Sequence, residues 1–196
     1  MDRKKLGNLN REKFGVILPI TLLSYFLILM DNSIIFTSSA QIGESLGLSA
    51  SALSWVSSAY TLTFGGFLLL SGRLSDLLGR KRIFLIGLLI FGFSSLMIGL
   101  SKTAEMVIIM RAVQGIGSSI IAPTTLALIM DAYQNNMRQR AISYYGATAG
   151  IGSSIGLLVG GGLTSLISWR AGFLINVPFT LVLFILTLKY VKSSAR

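Results

Sequence analysis

Six long apolar segments take up most of this sequence and leave little room for anything but helices that cross a membrane. They lie near residues 14–36, 52–72, 83–101, 105–130, 141–166 and 173–191. A helix needs roughly 20 predominantly apolar residues to cross the hydrocarbon core of a bilayer, and each segment is about that long. Only 12% of the 196 residues are charged, about half the share found in soluble domains. The segments predict an all-α membrane protein with six transmembrane helices.

The basic residues are distributed unevenly between the connections of these segments. Of the 17 Lys and Arg residues, 14 lie before span one, after spans two and four, or at the carboxyl end, whereas Lys102 and Arg170 lie in the other connections and Arg111 lies inside span four. Cytoplasmic loops carry an excess of Lys and Arg, so both termini are predicted to be cytoplasmic. Residues 1–13 then form a basic cytoplasmic N-terminus, residues 14–191 the bundle, and residues 192–196 a cytoplasmic tail.

Composition also limits the chemistry of the chain. The excess cations behind the net charge of +10 lie in the connections predicted to be cytoplasmic. We therefore attribute this charge to membrane topology and expect no nucleic-acid surface. The sequence has neither cysteine nor histidine, which removes thiolate nucleophiles, disulfides and the residues that most often bind haem or zinc. We therefore expect no cofactor, no metal and no enzymatic activity, since rhomboid-type serine proteases need histidine and no pair of intramembrane aspartates is present. Any proton chemistry has to use one of seven carboxylates.

Two charged residues lie inside the predicted spans, where an ion without a partner is costly. Asp31 lies near the outer end of span one and is followed by Asn32 and Ser33. Arg111 lies about two turns into span four, and Gln114 follows on the same helical face. Each charge is either a group that faces a central cavity or an interfacial residue that reaches the outer headgroups. The candidate proton-coupling or substrate residues are Asp31, Arg111 and Gln114.

The connection between spans two and three has one acidic residue among several cations. Gly72 and Gly79 are predicted to permit a tight cytoplasmic turn, because glycine adopts backbone conformations that other residues avoid. Asp76 lies between them and close to four cations, so we expect a charge network that locks or releases helix ends. The candidate residues of this gating loop are Gly72, Arg73, Asp76, Gly79, Arg80 and Lys81.

Span five is rich in glycine at helical spacing. Repeated small residues four positions apart make a flat helix face against which a second backbone packs closely. A weak internal similarity, in which glycine pairs at 65–66 and 161–162 correspond, suggests two inverted units of three helices. The candidate packing residues of span five are Gly146, Gly150, Gly152, Gly156, Gly160 and Gly161.

Together these segments resemble the amino-terminal half of a drug:proton antiporter of the major facilitator superfamily, in its branch with fourteen spans. Residues 72–82 match the loop motif of the superfamily at every fixed position, and residues 111–123 match its fourth-helix motif. Residues 146–162 resemble the fifth-helix antiporter motif, although Leu157 stands where that motif often has proline. Asp31 stands where the first-helix motif places its aspartate.

The resemblance implies alternating access, in which two six-helix bundles rock around a central site, import protons and expel a lipophilic compound. It makes Asp31 a candidate site for a proton or a substrate cation, and it gives Arg111 a part in proton movement. Asp76, Arg73 and Arg80 would form a cytoplasmic latch, and the fifth-helix glycines would pack the two halves and limit leakage. The expected partners are the lipid bilayer, protons and a small-molecule substrate, in a bacterial cytoplasmic membrane.

The number of spans leaves the assembly open. Members of the family have twelve or fourteen spans, whereas this sequence has six. The chain is therefore expected to be a truncated or split half that is inactive alone, a bundle that assembles with a separately encoded half, or a bundle that pairs with itself. Self-pairing is geometrically feasible because the halves of the family are related by a two-fold axis along the membrane normal. A scaffold or assembly partner without transport is the alternative function.

Overall fold

The computed structural model describes residues 14–192. Within this range the chain forms seven helices and no strand. The helices are α1 (Ile17–Leu46), α2 (Ala50–Leu78), α3 (Arg80–Gly99), α4 (Ala104–Ala132), α5 (Asn135–Leu166), α6 (Trp169–Leu174) and α7 (Asn176–Tyr190). The first five helices are each long enough to cross a membrane, and α6 and α7 together make a sixth such element, Trp169–Tyr190. The prediction of six membrane-length helices is confirmed.

The helices extend beyond several of the predicted spans. The first continues to Leu46 rather than ending near residue 36, and α2 continues to Leu78. The turn between α2 and α3 consists of Gly79 alone, whose φ of 94° is one that glycine tolerates best. The expected role of Gly72 in this turn is wrong. That residue lies inside α2 because residues 73–78 include no helix breaker.

The connections alternate between two ends of the bundle. At one end, here called the basic end, the start of α3 meets the end of α4 through Arg80 and Asp131, and the start of α1 meets the end of α4 through a hydrogen bond from the Leu18 amide to the Tyr133 hydroxyl (3.1 Å). At the opposite end, Trp169 donates from its indole nitrogen to the Ser45 hydroxyl over 2.9 Å. Side-chain bonds therefore tie the helix ends together on both sides.

The pairing of the helices follows the predicted inverted repeat. The first helix packs along α5, and α2 packs along α4. In a repeat of three plus three helices, α1 corresponds to α4 and α2 corresponds to α5. The contact between α1 and α5 then corresponds to the contact between α4 and α2, as expected for two inverted units. Helices α1, α3, α4 and α7 enclose the apolar core, whose members include Ile28, Phe84, Leu88, Phe91 and Ile121.

Two helices contribute little to this core. Only 17% of the most apolar stretch of α2 and 22% of that of α5 are buried, against 67% for α4. Large apolar side chains on both helices are exposed, among them Leu62 and Leu69 on α2 and Leu158 and Leu166 on α5. Helices α2 and α5 therefore present broad apolar faces that the described residues do not cover.

Candidate functional site

An ion pair lies in the middle of the bundle. The Arg111 guanidinium on α4 donates from Nη1 to Oδ2 of Asp31 on α1 over 2.8 Å. The two side chains are 1% and 0% exposed. Both side chains are enclosed by the bundle, so neither is exposed on its outer surface. A pair buried this deeply is stable only if the remaining hydrogen-bonding groups are also satisfied.

Gln114 connects both members of the pair. Its side-chain oxygen accepts a 2.6 Å hydrogen bond from Arg111 Nη1, and its Nε2 donates to Asp31 Oδ1 over 3.0 Å. Gln114 lies three residues after Arg111, so one helical face presents both groups. The three residues predicted as a proton or substrate site are thus brought together by the fold.

Asn176 and Ser95 complete the network from two other helices. The Asn176 amide, in the first turn of α7, donates to Asp31 Oδ1 over 2.7 Å and to the Ser95 hydroxyl over 2.9 Å. Ser95 on α3 also accepts from Gln114 and donates to the Phe173 carbonyl oxygen. Among the described residues the Asn176 Oδ1 is buried without a hydrogen-bond partner. The Asp31 carboxylate therefore accepts hydrogen bonds from α4 and α7, and Ser95 on α3 accepts from Gln114 and Asn176, two of the same donors.

The other side of the Arg111 guanidinium faces α2. Its carbon lies 4.2 Å from the centre of the Tyr60 ring, a cation–π arrangement, and its Nε donates to the Val56 carbonyl oxygen over 3.3 Å. The Asn32 amide donates to the Tyr60 hydroxyl over 3.0 Å. Helix α4 approaches α2 this closely at Gly115, where an added Cβ would collide with the α2 backbone.

A second charge network lies at the basic end. Arg80 is paired with Asp76 one turn earlier (3.4 Å) and with Asp131 at the end of α4, and its Nη1 donates to the Ala127 carbonyl oxygen over 2.6 Å. Lys81 donates to the Leu188 carbonyl oxygen over 2.9 Å. Of the other residues predicted here, Arg73 is exposed, and Gly72 has open space where a side chain would stand. Arg80 therefore joins the turn at Gly79 to α4.

The glycines of α5 divide into two groups. An added Cβ at Gly152, Gly156 or Gly160 would meet α1, and at Gly156 it would lie 2.8 Å from a backbone carbon of that helix. By contrast, nothing lies within 4 Å of such an atom at Gly146 or Gly150, and at Gly161 the nearest neighbour is 3.9 Å away. The close packing expected of these residues is therefore found inside the bundle for three of the six.

Three members of the two networks, Ser95, Asn176 and Asp131, received no role from the sequence. Asn176 could have been singled out from the sequence, because it is the one amide side chain in an otherwise apolar span. Asp131 is a carboxylate at the end of α4, and only its position opposite Arg80 in space reveals its partner. Ser95 gave no signal, since small hydroxyl residues are common in transmembrane helices.

Six membrane-length helices around a buried ion pair place the chain in the class of multi-pass membrane proteins and are typical of transporters. The sequence model of the Major Facilitator Superfamily matches residues 21–196. The chain therefore belongs to the Major Facilitator Superfamily, a family of membrane transporters rather than enzymes, and is a multi-pass protein of the cell membrane.

Similar proteins include drug-resistance transporters. The uncharacterized MFS-type transporter EfpA of Mycobacterium tuberculosis is 43% identical over 79% of this chain and 29% of its own length. The puromycin resistance protein pur8 of Streptomyces alboniger is 38% identical over 84% of this chain and 33% of its own length. Multidrug resistance protein 3 of Bacillus subtilis is 35% identical over 88% of this chain and 34% of its own. This chain spans about a third of the length of these relatives.

Solved structures share the fold. A bacterial homolog of the human lysosomal transporter Spinster, in an inward-facing and occupied conformation, superposes with a TM-score of 0.80. It is 19% identical and covers 92% of this chain and 44% of its own length. The peptide transporter POT in complex with alafosfalin gives a TM-score of 0.76 at 16% identity, over 88% of this chain and 37% of its own. In both cases the six-helix bundle corresponds to less than half of the transporter.

Proposed function

We propose that this chain forms one half of a proton-coupled exporter of drugs or other small lipophilic compounds. The buried Asp31–Arg111 ion pair is the observation that carries the proposal. It is a charge-neutral unit held in the bundle interior, and a proton is the simplest particle that can change its charge. Relatives named for multidrug and puromycin resistance support a lipophilic substrate.

Proton coupling follows from the cost of unbalanced charge. When Asp31 takes up a proton, Arg111 becomes a cation without a counter-ion in a low-dielectric interior, which is strongly unfavourable. The guanidinium then has to move toward water, a substrate anion or another acidic group. The Asn176 amide, whose Nδ2 now donates to Asp31, can turn over so that its unpartnered Oδ1 accepts from the protonated carboxyl. Protonation therefore favours separating α4 from α1, and release of the proton restores the pair. A cationic substrate that approaches Asp31 would compete for the same carboxylate.

The basic end supplies the proposed gate and the proposed orientation. Lys and Arg concentrate at this end, which we assign to the cytoplasm by the positive-inside rule. Arg80 holds the turn at Gly79 to Asp131, so the pair forms or breaks as α4 moves relative to α2 and α3. Such a contact is partly exposed and contributes little to stability. It is therefore suited to be broken and remade in a transport cycle.

A second bundle would complete the transporter by covering α2 and α5. Their apolar faces are far more exposed than those of α3 and α4. In a membrane these faces meet either lipid or protein. The open backbone at Gly146 and Gly150 on α5 permits close approach of another helix. The partner is either a separate six-helix half or a second copy of this chain.

The chain itself allows these partners to be distinguished, because it has no cysteine. A single cysteine at Leu158, which is 77% exposed on α5, reports on this face. Cross-linking between two copies at this position, and not at the matched control Ile185→Cys on α7, indicates a homodimer through α2 and α5. Absence of the cross-link in a well-folded sample counts against a homodimer in which the two copies of α5 meet at this position.

The alternative function is an assembly partner that does not transport. Proteoliposomes that contain the chain, loaded with ethidium or puromycin as probes, separate the two functions. Export that depends on an imposed pH gradient, and is lost in Asp31→Asn, supports transport by the chain itself. Failure to move either probe, in a sample with intact helicity, contradicts activity of the chain on its own.

A further inference from the structure

The outer surface between α3 and α7 contains a continuous apolar depression, here called the α3–α7 groove. It has a volume of about 240 Å³ and is lined by Leu88, Leu89, Gly92 and Phe93 on α3 and by Leu181 and Phe184 on α7. Gly92 brings the two helices close together at its floor, where an added Cβ would lie 2.9 Å from the Thr180 methyl group. Its largely apolar lining fits a hydrocarbon chain.

A second cavity, here called the basic pocket, lies at the basic end of the bundle, where the start of α3 and the end of α7 meet the end of α4 and the start of α1. It has a volume of about 400 Å³, and its lining includes Arg80, Lys81, Asp131, Tyr190 and Lys192. Three cations and one carboxylate leave an excess of two positive charges. Asp131 is engaged by Arg80, so the excess charge belongs to the two lysines. The basic pocket therefore favours an anion.

The lysines have hydrogen-bonding capacity to spare. Lys81 uses one of its three ammonium hydrogens on the Leu188 carbonyl oxygen. Lys192 lies just after α7 and is exposed. Helix α3 begins at Arg80 without a side-chain cap, and its N-terminal dipole adds to the positive potential. The Lys81 ammonium therefore retains hydrogens that can be donated to an anion in the basic pocket, and Lys192 adds a second positive charge to its lining.

The two cavities are spaced as the parts of a phospholipid are. From Lys81, Leu88 lies about 10 Å and Gly92 about 16 Å further along α3, at 1.5 Å per residue. From Tyr190 at the end of α7, Leu181 lies about 14 Å back along the helix by the same rise. One leaflet contributes about 15 Å of hydrocarbon. A headgroup in the basic pocket thus places an acyl chain in the part of the groove nearest to it.

We propose that an anionic phospholipid of the leaflet at the basic end binds here, with its phosphate between Lys81 and Lys192 and one acyl chain in the α3–α7 groove. Basic pockets between transmembrane helices are suited to such headgroups. The groove distinguishes a lipid from a free anion, because a soluble phosphate would use the pocket alone. Arg80 and Lys81 also connect the lipid to the Asp131 contact, so the lipid is positioned to influence the proposed gate.

Tryptophan fluorescence tests this site in bilayers with brominated acyl chains, which quench an indole on contact. Leu181→Trp places the reporter in the groove, and Val182→Trp is its matched control, at nearly the same depth and 54% exposed but outside the groove lining. The native Trp55 and Trp169 are present in every variant and give a constant background. Quenching by brominated phosphatidylglycerol is compared with quenching by brominated phosphatidylcholine.

We expect phosphatidylglycerol to quench Leu181→Trp preferentially and both lipids to quench Val182→Trp alike. Lys81→Gln and Lys192→Gln should each lower the apparent affinity for phosphatidylglycerol roughly fivefold. Arg82→Gln is the matched charge control, since Arg82 lies beside Lys81 but outside the pocket lining, and it should leave the preference unchanged.

Three kinds of result would overturn the proposal. The first is equal quenching of Leu181→Trp by the two lipids, or a preference that survives the loss of both lysines. The second is a preference that Arg82→Gln reduces as much as Lys81→Gln does, which would indicate a diffuse surface charge effect. If inorganic phosphate at millimolar concentration abolishes the preference, the pocket binds a free anion, and the lipid assignment is wrong.

Discussion

Removing one member of the Asp31–Arg111 pair should destabilise the chain more than removing both. Asp31→Asn leaves a guanidinium in the bundle interior, and Arg111→Gln leaves a carboxylate there. At an effective dielectric constant of about 20, unit charges 2.8 Å apart attract by about 6 kcal/mol, and desolvation of both ions offsets part of this. Loss of a single partner from a buried pair costs about 3–5 kcal/mol.

The surroundings of each charge refine these magnitudes. In Asp31→Asn the guanidinium keeps Gln114, the Val56 carbonyl oxygen and the Tyr60 ring, so the cost should lie near 3 kcal/mol. In Arg111→Gln the isolated carboxylate can be neutralised by a proton, so the destabilisation should shrink as the pH falls. The double variant removes both charges and should lose about 2 kcal/mol or less, since neutral replacement of a buried pair is often tolerated.

The free energy of unfolding in mixed detergent micelles, measured at several pH values, checks these values. Asp76→Asn is the matched control, because it breaks a partly exposed pair with Arg80 and should cost about 1 kcal/mol or less. If the losses in free energy of unfolding in the two single variants add up to the loss in the double variant, Asp31 and Arg111 are not energetically coupled and the reasoning is refuted. An Arg111→Gln destabilisation that does not change with pH would also refute it.

Three further predictions concern packing and the second network. Gly156→Ala should lower the free energy of unfolding by about 1–3 kcal/mol, because its Cβ would lie 2.8 Å from the α1 backbone. Gly150→Ala should leave this free energy unchanged or raise it, and equal losses in the two variants would contradict the packing. Asn176→Ala should cost about 2–4 kcal/mol, since it removes two buried hydrogen bonds, and an unchanged stability would contradict its place in the network. Asp131→Asn should raise amide hydrogen exchange near Gly79 about two- to fivefold, and unchanged exchange would count against the Arg80 contact.

Local signals in the sequence were enough to predict the helices and the glycine turn. Apolar length predicts six membrane-length helices because every backbone group in a bilayer has to be satisfied internally. The same reasoning missed the break at Ile175 and placed the end of α1 too early, since residues 37–46 are polar enough to resemble a loop but continue the helix. The turn was assigned to both Gly72 and Gly79, although one positive φ is sufficient.

The candidate site was predicted only in part, because its members are far apart in the sequence. Asp31 and Arg111 stood out individually as charges in apolar spans. Their direct contact, across a separation of 80 residues, depends on how α1 packs against α4. Asn176 approaches the same carboxylate from 145 residues away. No local pattern specifies such a contact, which follows only from the assembly of four helices around one carboxylate.

Proton movement coupled to substrate is the most direct test of the central claim, that the Asp31–Arg111 pair is a proton switch. Proteoliposomes with a pH-sensitive dye inside, preloaded with ethidium as the probe substrate, are prepared at matched protein content for the wild-type chain and Asp31→Asn, each reconstituted with the second bundle that completes the transporter. The account predicts ethidium-dependent proton flux with the wild-type chain and none with Asp31→Asn. Equal ethidium-dependent flux in the two samples would contradict it.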